Sequence, residues 1–190
     1  LEDGAKWAKY YGGDHAGTWT YGAPELPGAS ELIAKSSKVA NPGCYATAIA
    51  LGVAPAAQIA DVSDVVVVAA SGTTGAGRSA KINLIASEVM GNLTSYKFGG
   101  VHQYTPEIEE AIIRSTGEET KVSFTPILAP MPRGILATIT MKLKPGVDVK
   151  QVRSAYESAY ASEEFVHLLP EGQMPKTASV LGSNFVTMQV

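Results

Sequence analysis

Cys44 is the only thiol in the chain, and its neighbours are those of a nucleophile: Asn41-Pro42-Gly43 precede it and Tyr45-Ala46-Thr47-Ala48-Ile49-Ala50-Leu51 follow. Pro42 fixes φ, Gly43 permits a backbone conformation that other residues resist, and the alanine-rich run favours helix. The spacing therefore predicts Cys44 within the first turn of a helix. Open N–H groups and aligned peptide dipoles there favour an anion, so the thiol is expected to ionise more easily than the reference value of ~8.5 allows. The competing reading is an inert thiol in the core, since lone cysteines often behave as small apolar residues.

His102 lies between Gly99-Gly100 and Thr105-Pro106-Glu107. A capping residue, a proline at the first helical position and an acid near the positive helix end predict a helix beginning beside it. A histidine so placed is either structural or a general acid or base, and Gln103 and Glu107 are placed to orient it or to bind substrate. Ser71-Gly72-Thr73-Thr74-Gly75-Ala76-Gly77-Arg78 offers three glycines, three hydroxyls and one guanidinium suited to phosphate or carboxylate. No lysine follows its last glycine and no GxGxxG order opens it, so it is neither of the common nucleotide-binding signatures. It reads equally as a small-anion loop or as a flexible turn. Arg133, in Ala129-Pro130-Met131-Pro132-Arg133-Gly134, is a candidate ligand contact or a plain solvated residue. His15, among Gly12, Gly13 and Gly17, reads as a mobile surface histidine, and His167 as an edge or interface residue.

Those groups need elements to hold them. A helix is expected over residues 2 to 11, with Trp7 and Tyr11 on one face, followed by an irregular segment from Gly12 to Pro27. Glu31 to Ser36 suggests a helical turn and Lys38 to Ala40 a short strand leading to Cys44. Asp61 to Asp64 reads as a connection. Val65-Val66-Val67-Val68-Ala69-Ala70 lacks polar alternation and is predicted to be a strand covered on both faces. Lys81 to Met90 is expected to be a helix, Tyr96 to Phe98 a short strand, and Lys121 to Leu128 and Ile135 to Leu143 two longer ones. Along the last, apolar residues fall on one face, as in an antiparallel sheet with one protected side. Asp148 and Gln151 have the spacing of a capping box, and Phe185 to Val190 is expected to finish the sheet.

Composition narrows the classes. The 190 residues suit one domain. Eighteen acidic and fifteen basic side chains give a net charge of -3 without any basic run, so nothing steers the chain to nucleic acid. The apolar runs are broken by Pro or Gly short of a membrane span, and no membrane partner is expected. One cysteine allows neither an internal disulfide nor a clustered-thiolate metal site, which points to a reducing, cytoplasmic setting without a metal. Charged residues are 17% against 45% hydrophobic, light for a surface that faces only water, so part of it is expected to be hidden against something else. The ends of the chain read as those of a piece of a longer protein.

Taken in register, these motifs resemble the N-acetyl-gamma-glutamyl-phosphate reductase family of the semialdehyde dehydrogenase superfamily. The resemblance rests on Asn41 to Thr47, Ser71 to Arg78, Gly100-Val101-His102-Gln103-Tyr104-Thr105-Pro106-Glu107-Ile108, Tyr21-Gly22-Ala23-Pro24-Glu25-Leu26, and Phe124-Thr125-Pro126 through Pro132-Arg133-Gly134. It implies an α+β fold, a largely antiparallel or mixed sheet with helices covering one face, like the C-terminal catalytic domain of semialdehyde and glyceraldehyde-phosphate dehydrogenases. It also implies that residues 1–190 are a single catalytic and dimerisation domain, with an N-terminal Rossmann domain and a C-terminal closing segment absent. Many relatives carry a second histidine shortly after the first; Tyr104 stands there in this chain.

The implied reaction takes N-acetyl-L-glutamyl 5-phosphate, NADPH and a proton to N-acetyl-L-glutamate 5-semialdehyde and phosphate. Cys44 would attack the acyl carbon and expel phosphate, the thioester would be reduced, and His102 would act as acid and base. The resemblance assigns Ser71, Thr73, Arg78, Glu107 and Arg133 to substrate, and Ser71, Gly72 and Gly75 to the nicotinamide region. A homodimer or homotetramer is implied. The alternatives are an aspartate-semialdehyde dehydrogenase-like domain, or an oligomerisation and substrate-binding module that does not turn over alone.

Overall fold

The structure is a computed structural model that describes residues 1–190. In chain order it contains α1 (Gly4–Tyr10), β1 (Thr20–Tyr21), α2 (Ala29–Ala34), β2 (Val39–Ala40), α3 (Cys44–Val53), β3 (Ala60–Ser71) and α4 (Ala86–Val89). There follow β4 (Thr94–Ser95), α5 (Thr105–Thr116), β5 (Lys121–Leu128), β6 (Ile135–Leu143), α6 (Val149–Tyr160), β7 (Val166–Leu168) and β8 (Val186–Met188). The main sheet has the order β4-β5-β3-β6. β3 runs parallel to β5 and antiparallel to β6, and β4 is antiparallel to β5, so the sheet is mixed.

Helices α3 and α5 cover one face of this sheet. Tyr45, Ala46, Ile49 and Val53 of α3 and Ile108 and Ile112 of α5 pack on Val62, Val65, Val67 and Ala69 of β3 and on Val122 and Phe124 of β5. Each buried valine or isoleucine contributes roughly 1.5–3 kcal/mol relative to exposure. This packing fixes the start of α3, where Cys44 sits, against the start of α5. Tyr156 and Tyr160 of α6 close a second cluster with Leu51, Ala54, Ala60 and Ala111 and donate their hydroxyls to Gly52 O and Leu51 O. The capping box at Asp148 and Gln151 forms as its spacing predicts.

The other face of the sheet is open, contrary to the reading of Val65 to Ala70 as covered on both sides. Val66 and Val68 are 44% and 43% exposed, while Val65 and Val67 are fully buried. Alternation of the pleat therefore separates an unbroken valine run into a core face and a bare one. Leu136 lies on the same bare side, on the neighbouring strand β6. Other expectations also change. The strand begins at Ala60, so Asp61 to Asp64 belongs to it, with a register irregularity between Asp61 and Val66. The segment 81–90 forms a 3-10 turn, Ile82–Leu84, and the short α4, leaving Ile82 81% exposed rather than packed. The strand expected at Tyr96 to Phe98 lies instead at Thr94–Ser95. β8 pairs in parallel with β7 as a separate two-stranded sheet and does not complete the main one.

Candidate active site

Cys44 is the first residue of α3, and its thiol is exposed. The preceding Gly43 has φ -66 and ψ 149, an ordinary extended conformation, so its glycine is not required for φ. Space requires it. A Cβ at position 43 would lie 2.9 Å from the Tyr104 ring and 3.0 Å from Glu107 Oε2. Helix α3 has no side-chain cap, and the Gly43 N–H donates instead to Glu107 Oε1 across 2.7 Å. Glu107 Oε1 also accepts from the Tyr21 hydroxyl, 3.1 Å away. Three segments distant in sequence thus meet at the turn that delivers the thiol.

The electrostatics correct the expectation of an acidic thiol. Desolvation by the surrounding protein is the larger influence and raises the Cys44 pKa; the backbone N–H groups of Tyr45 and Cys44 lower it, and the Glu107 carboxylate raises it further. The net direction is upward. The helix start does act on the thiol, but desolvation and a nearby like charge outweigh it.

His102 is 3% exposed and sits among the rings of Tyr45, Tyr96, Tyr104 and Phe124, with centroid separations of 5.8, 5.7, 5.1 and 5.3 Å. Its Nδ1 accepts the Tyr104 N–H at 3.0 Å, so the neutral ring carries its proton on Nε2. Desolvation, with Lys97 adding repulsion, lowers its pKa from 6.5 to about 4. His102 therefore touches Tyr45, the residue after the thiol, from the core side.

A groove of about 1100 Å³ runs from Cys44 and Thr47 past Ser71, Gly72, Gly75 and Arg133 to the C-terminal stretch 175–190. The structure thus gathers five of the nine predicted site residues on one surface. Four lie elsewhere. His102 and Glu107 stand behind the Cys44 turn, and Arg78 is exposed away from the groove lining. Thr73 is tied down, its N–H donating to Met131 O at 2.9 Å. The same holds for its neighbours: Gly72 N–H donates to Gly134 O, and Thr74 donates from both N–H and hydroxyl to Pro132 O. A Cβ on Gly72 would come within 2.6 Å of the Arg133 nitrogen. These amides are used between two loops and do not turn to a ligand. Of the residues expected near a nicotinamide, Gly75 has open space around it, whereas the Gly72 amide is engaged and Ser71 is buried.

Tyr104 and Tyr21 complete the setting and received little weight from sequence. Tyr104 precedes Glu107 by three residues, a separation that brings both to one side of a helix start; that spacing was the available signal. Tyr21 had none beyond its motif, because its partner is 86 residues away.

An exposed cysteine at a helix start, backed by a mixed sheet whose far face is bare, defines a class. The chain belongs to the semialdehyde dehydrogenase family, matching the model of its dimerisation domain over residues 44–190. Along its whole length it is 63% identical to the N-acetyl-gamma-glutamyl-phosphate reductase of Acidothermus cellulolyticus, 57% to that of Arthrobacter sp. and 56% to that of Streptomyces coelicolor. It covers 56% of each, so the chain spans about half the length of the curated relatives it matches. Among solved structures, aspartate semialdehyde dehydrogenase II from Vibrio cholerae superposes with a TM-score of 0.66 at 14% identity, over 88% of this chain and 56% of that one. A probable aspartate-semialdehyde dehydrogenase from Pseudomonas aeruginosa gives 0.66 at 16% identity, over 92% and 58%. These two similarities bear on the fold, which is the expected α+β architecture.

Proposed function

We propose that this chain is the subunit-contact and acyl-transfer part of an N-acetyl-gamma-glutamyl-phosphate reductase in arginine biosynthesis, and that it does not turn over by itself. The observation that carries the reading is identity of 52–63% along the entire chain to reductases of that name, with the thiol exposed at the head of the groove. The match to a dimerisation domain favours the view of a module that works only with other parts. An NADPH-binding Rossmann domain and a closing segment belong to those other parts. A cytoplasmic setting goes with the pathway; no helix here is long and apolar enough to cross a membrane.

In the proposed chemistry the Cys44 thiolate attacks the carbonyl carbon of the acyl phosphate. A C–S bond forms, the C–O bond to phosphate breaks, and phosphate leaves. NADPH, when bound, would supply the hydride for the thioester carbon; the C–S bond then breaks, the semialdehyde leaves and the Cys44 thiolate is restored, and Gly75 would leave open space for the nicotinamide. Arg133, on the groove, holds a carboxylate or phosphate of the substrate. The N–H groups at the start of α3 steady the developing oxyanion. His102, neutral with its proton on Nε2, starts as a hydrogen-bond donor; full acid–base exchange requires a proton at Nδ1, which displaces the Tyr104 N–H. Homodimers or homotetramers form through the bare sheet face of Val66, Val68 and Leu136.

The test compares turnover by the intact protein and by this chain alone, each with NADPH and either N-acetylglutamyl phosphate or aspartyl phosphate. Turnover of the acetylglutamyl substrate by the intact protein only is expected. Preference for the aspartyl substrate, or full activity of the isolated chain, refutes the reading.

A further inference from the structure

Glu107 does not line the groove, although its type and position suggest substrate recognition. Its Oε1 accepts from the Gly43 N–H at 2.7 Å and from the Tyr21 hydroxyl at 3.1 Å, and Oε2 lies where a Cβ on Gly43 would come within 3.0 Å. The carboxylate also raises the pKa of Tyr21, after desolvation, and contributes to the upward shifts of Tyr104 and Cys44. One side chain in the first turn of α5 thus reaches the peptide leading into α3 and fills the space left by a missing Cβ.

We propose that Glu107 is a positioning residue for Cys44, holding the Gly43 peptide that leads into the nucleophile and standing as a fixed negative charge beside it. The proposal rests on the reading of Cys44 as the nucleophile. Helix α3 lacks a side-chain cap of its own; Thr47 holds the Gly43 carbonyl with its N–H and hydroxyl, and the tether from α5 holds the Gly43 N–H. The geometry also explains the pairing of residue types. Glycine at 43 lets a carboxylate come close enough to accept its N–H, and any side chain there would push Tyr104 and Glu107 away. Besides Glu107 and the Tyr21 hydroxyl that bonds it, the titratable or charged groups around the thiol and its groove are Tyr45 on α3, Tyr104 ahead of α5, neutral His102 behind both, and Arg133 and Lys176 on the groove lining. Tyr45 and Tyr104 have raised pKa values and stay neutral, so Glu107 is the negative group of this set.

The experiment measures iodoacetamide alkylation of Cys44 against pH, resolved by peptide mass spectrometry, in the intact protein and its Glu107→Gln and Glu107→Ala variants. Steady-state kinetics follow on the same samples. Both variants are expected to move the alkylation profile to lower pH. Gln retains an acceptor for the Gly43 N–H and should keep kcat within about threefold, whereas Ala should lower kcat roughly tenfold with KM nearly unchanged, the scale of one lost hydrogen bond to a charged group. An unchanged alkylation profile in Glu107→Gln overturns the proposal, as does a raised KM with kcat preserved, which would mean that Glu107 binds substrate. The isosteric Gln variant serves even where Ala fails to fold. Alkylation is read without substrate, so a shifted profile alongside no reductase activity in any form would refute the functional reading and leave the positioning role standing.

Discussion

The Cys44 turn and the Ser71 to Thr74 loop both pass through a glycine; from sequence the first reads as a nucleophile's position and the second equally as a small-anion loop or a flexible turn. They solve different problems. At Gly43 the missing side chain admits the ends of two side chains, Tyr104 and Glu107, and the thiol next to it remains exposed. At Gly72 the missing side chain admits backbone, and the amides of residues 72 to 74 bond to carbonyls of residues 131 to 134. The first loop presents an exposed thiol. The second extends the sheet's pairing beyond β3 and sets Arg133 on the groove. A glycine-rich loop after a strand is therefore evidence of close approach, and only the partner decides whether the approach serves a ligand.

The contrast can be broken by adding one methyl group to each loop. Gly72→Ala puts a Cβ against the Arg133 and Pro132 backbone, which cannot rotate away, and is expected to destabilise the fold by about 3 kcal/mol in denaturant unfolding. Gly43→Ala meets side-chain ends that can yield, so about 1 kcal/mol is expected there, with Cys44 alkylation changed more than stability. Equal losses at the two positions would erase the distinction.

His102 sharpens the difference between what faces the groove and what supports it. Its folded pKa of about 4 lies below the ordinary 6.5. The unfolded ring takes up a proton first as pH falls, so stability is complete above pH 6.5 and declines toward pH 4, by up to roughly 3 kcal/mol. Thermal melting across that window should show the slope, and His102→Gln should remove it. A slope unchanged in the variant would assign the dependence to other groups. The smallest effect expected is at Arg78: Arg133→Ala should raise the substrate KM clearly, and Arg78→Ala much less, since only Arg133 lines the groove. The reverse order would restore Arg78 to the site.

Much of this was legible in the chain. β5, β6, the capping box at Asp148 and the start of α3 at Cys44 follow from local patterns that the tertiary structure leaves alone. The failures share a cause. Val65 to Ala70 lacks polar alternation because its outward valines are apolar too, so periodicity could not show which side is bare. The helix expected at residues 81 to 90 fails because Ile82 and Ile85 find no core to pack against, and propensity alone does not hold a short helix. The direction of the Cys44 shift was misread because the helix start is visible in sequence, while the desolvation that dominates the shift, and the smaller push from Glu107 63 residues on, arise only from tertiary packing.

The central claim is that Cys44 forms the covalent bond. Intact protein and its Cys44→Ser variant should be mixed with N-acetylglutamyl phosphate without NADPH, quenched in acid and weighed by mass spectrometry. An acyl adduct on the Cys44 peptide of the unmodified protein, absent from the variant, is the predicted result. An adduct that persists in Cys44→Ser, or none in a protein that turns the substrate over, would contradict the account.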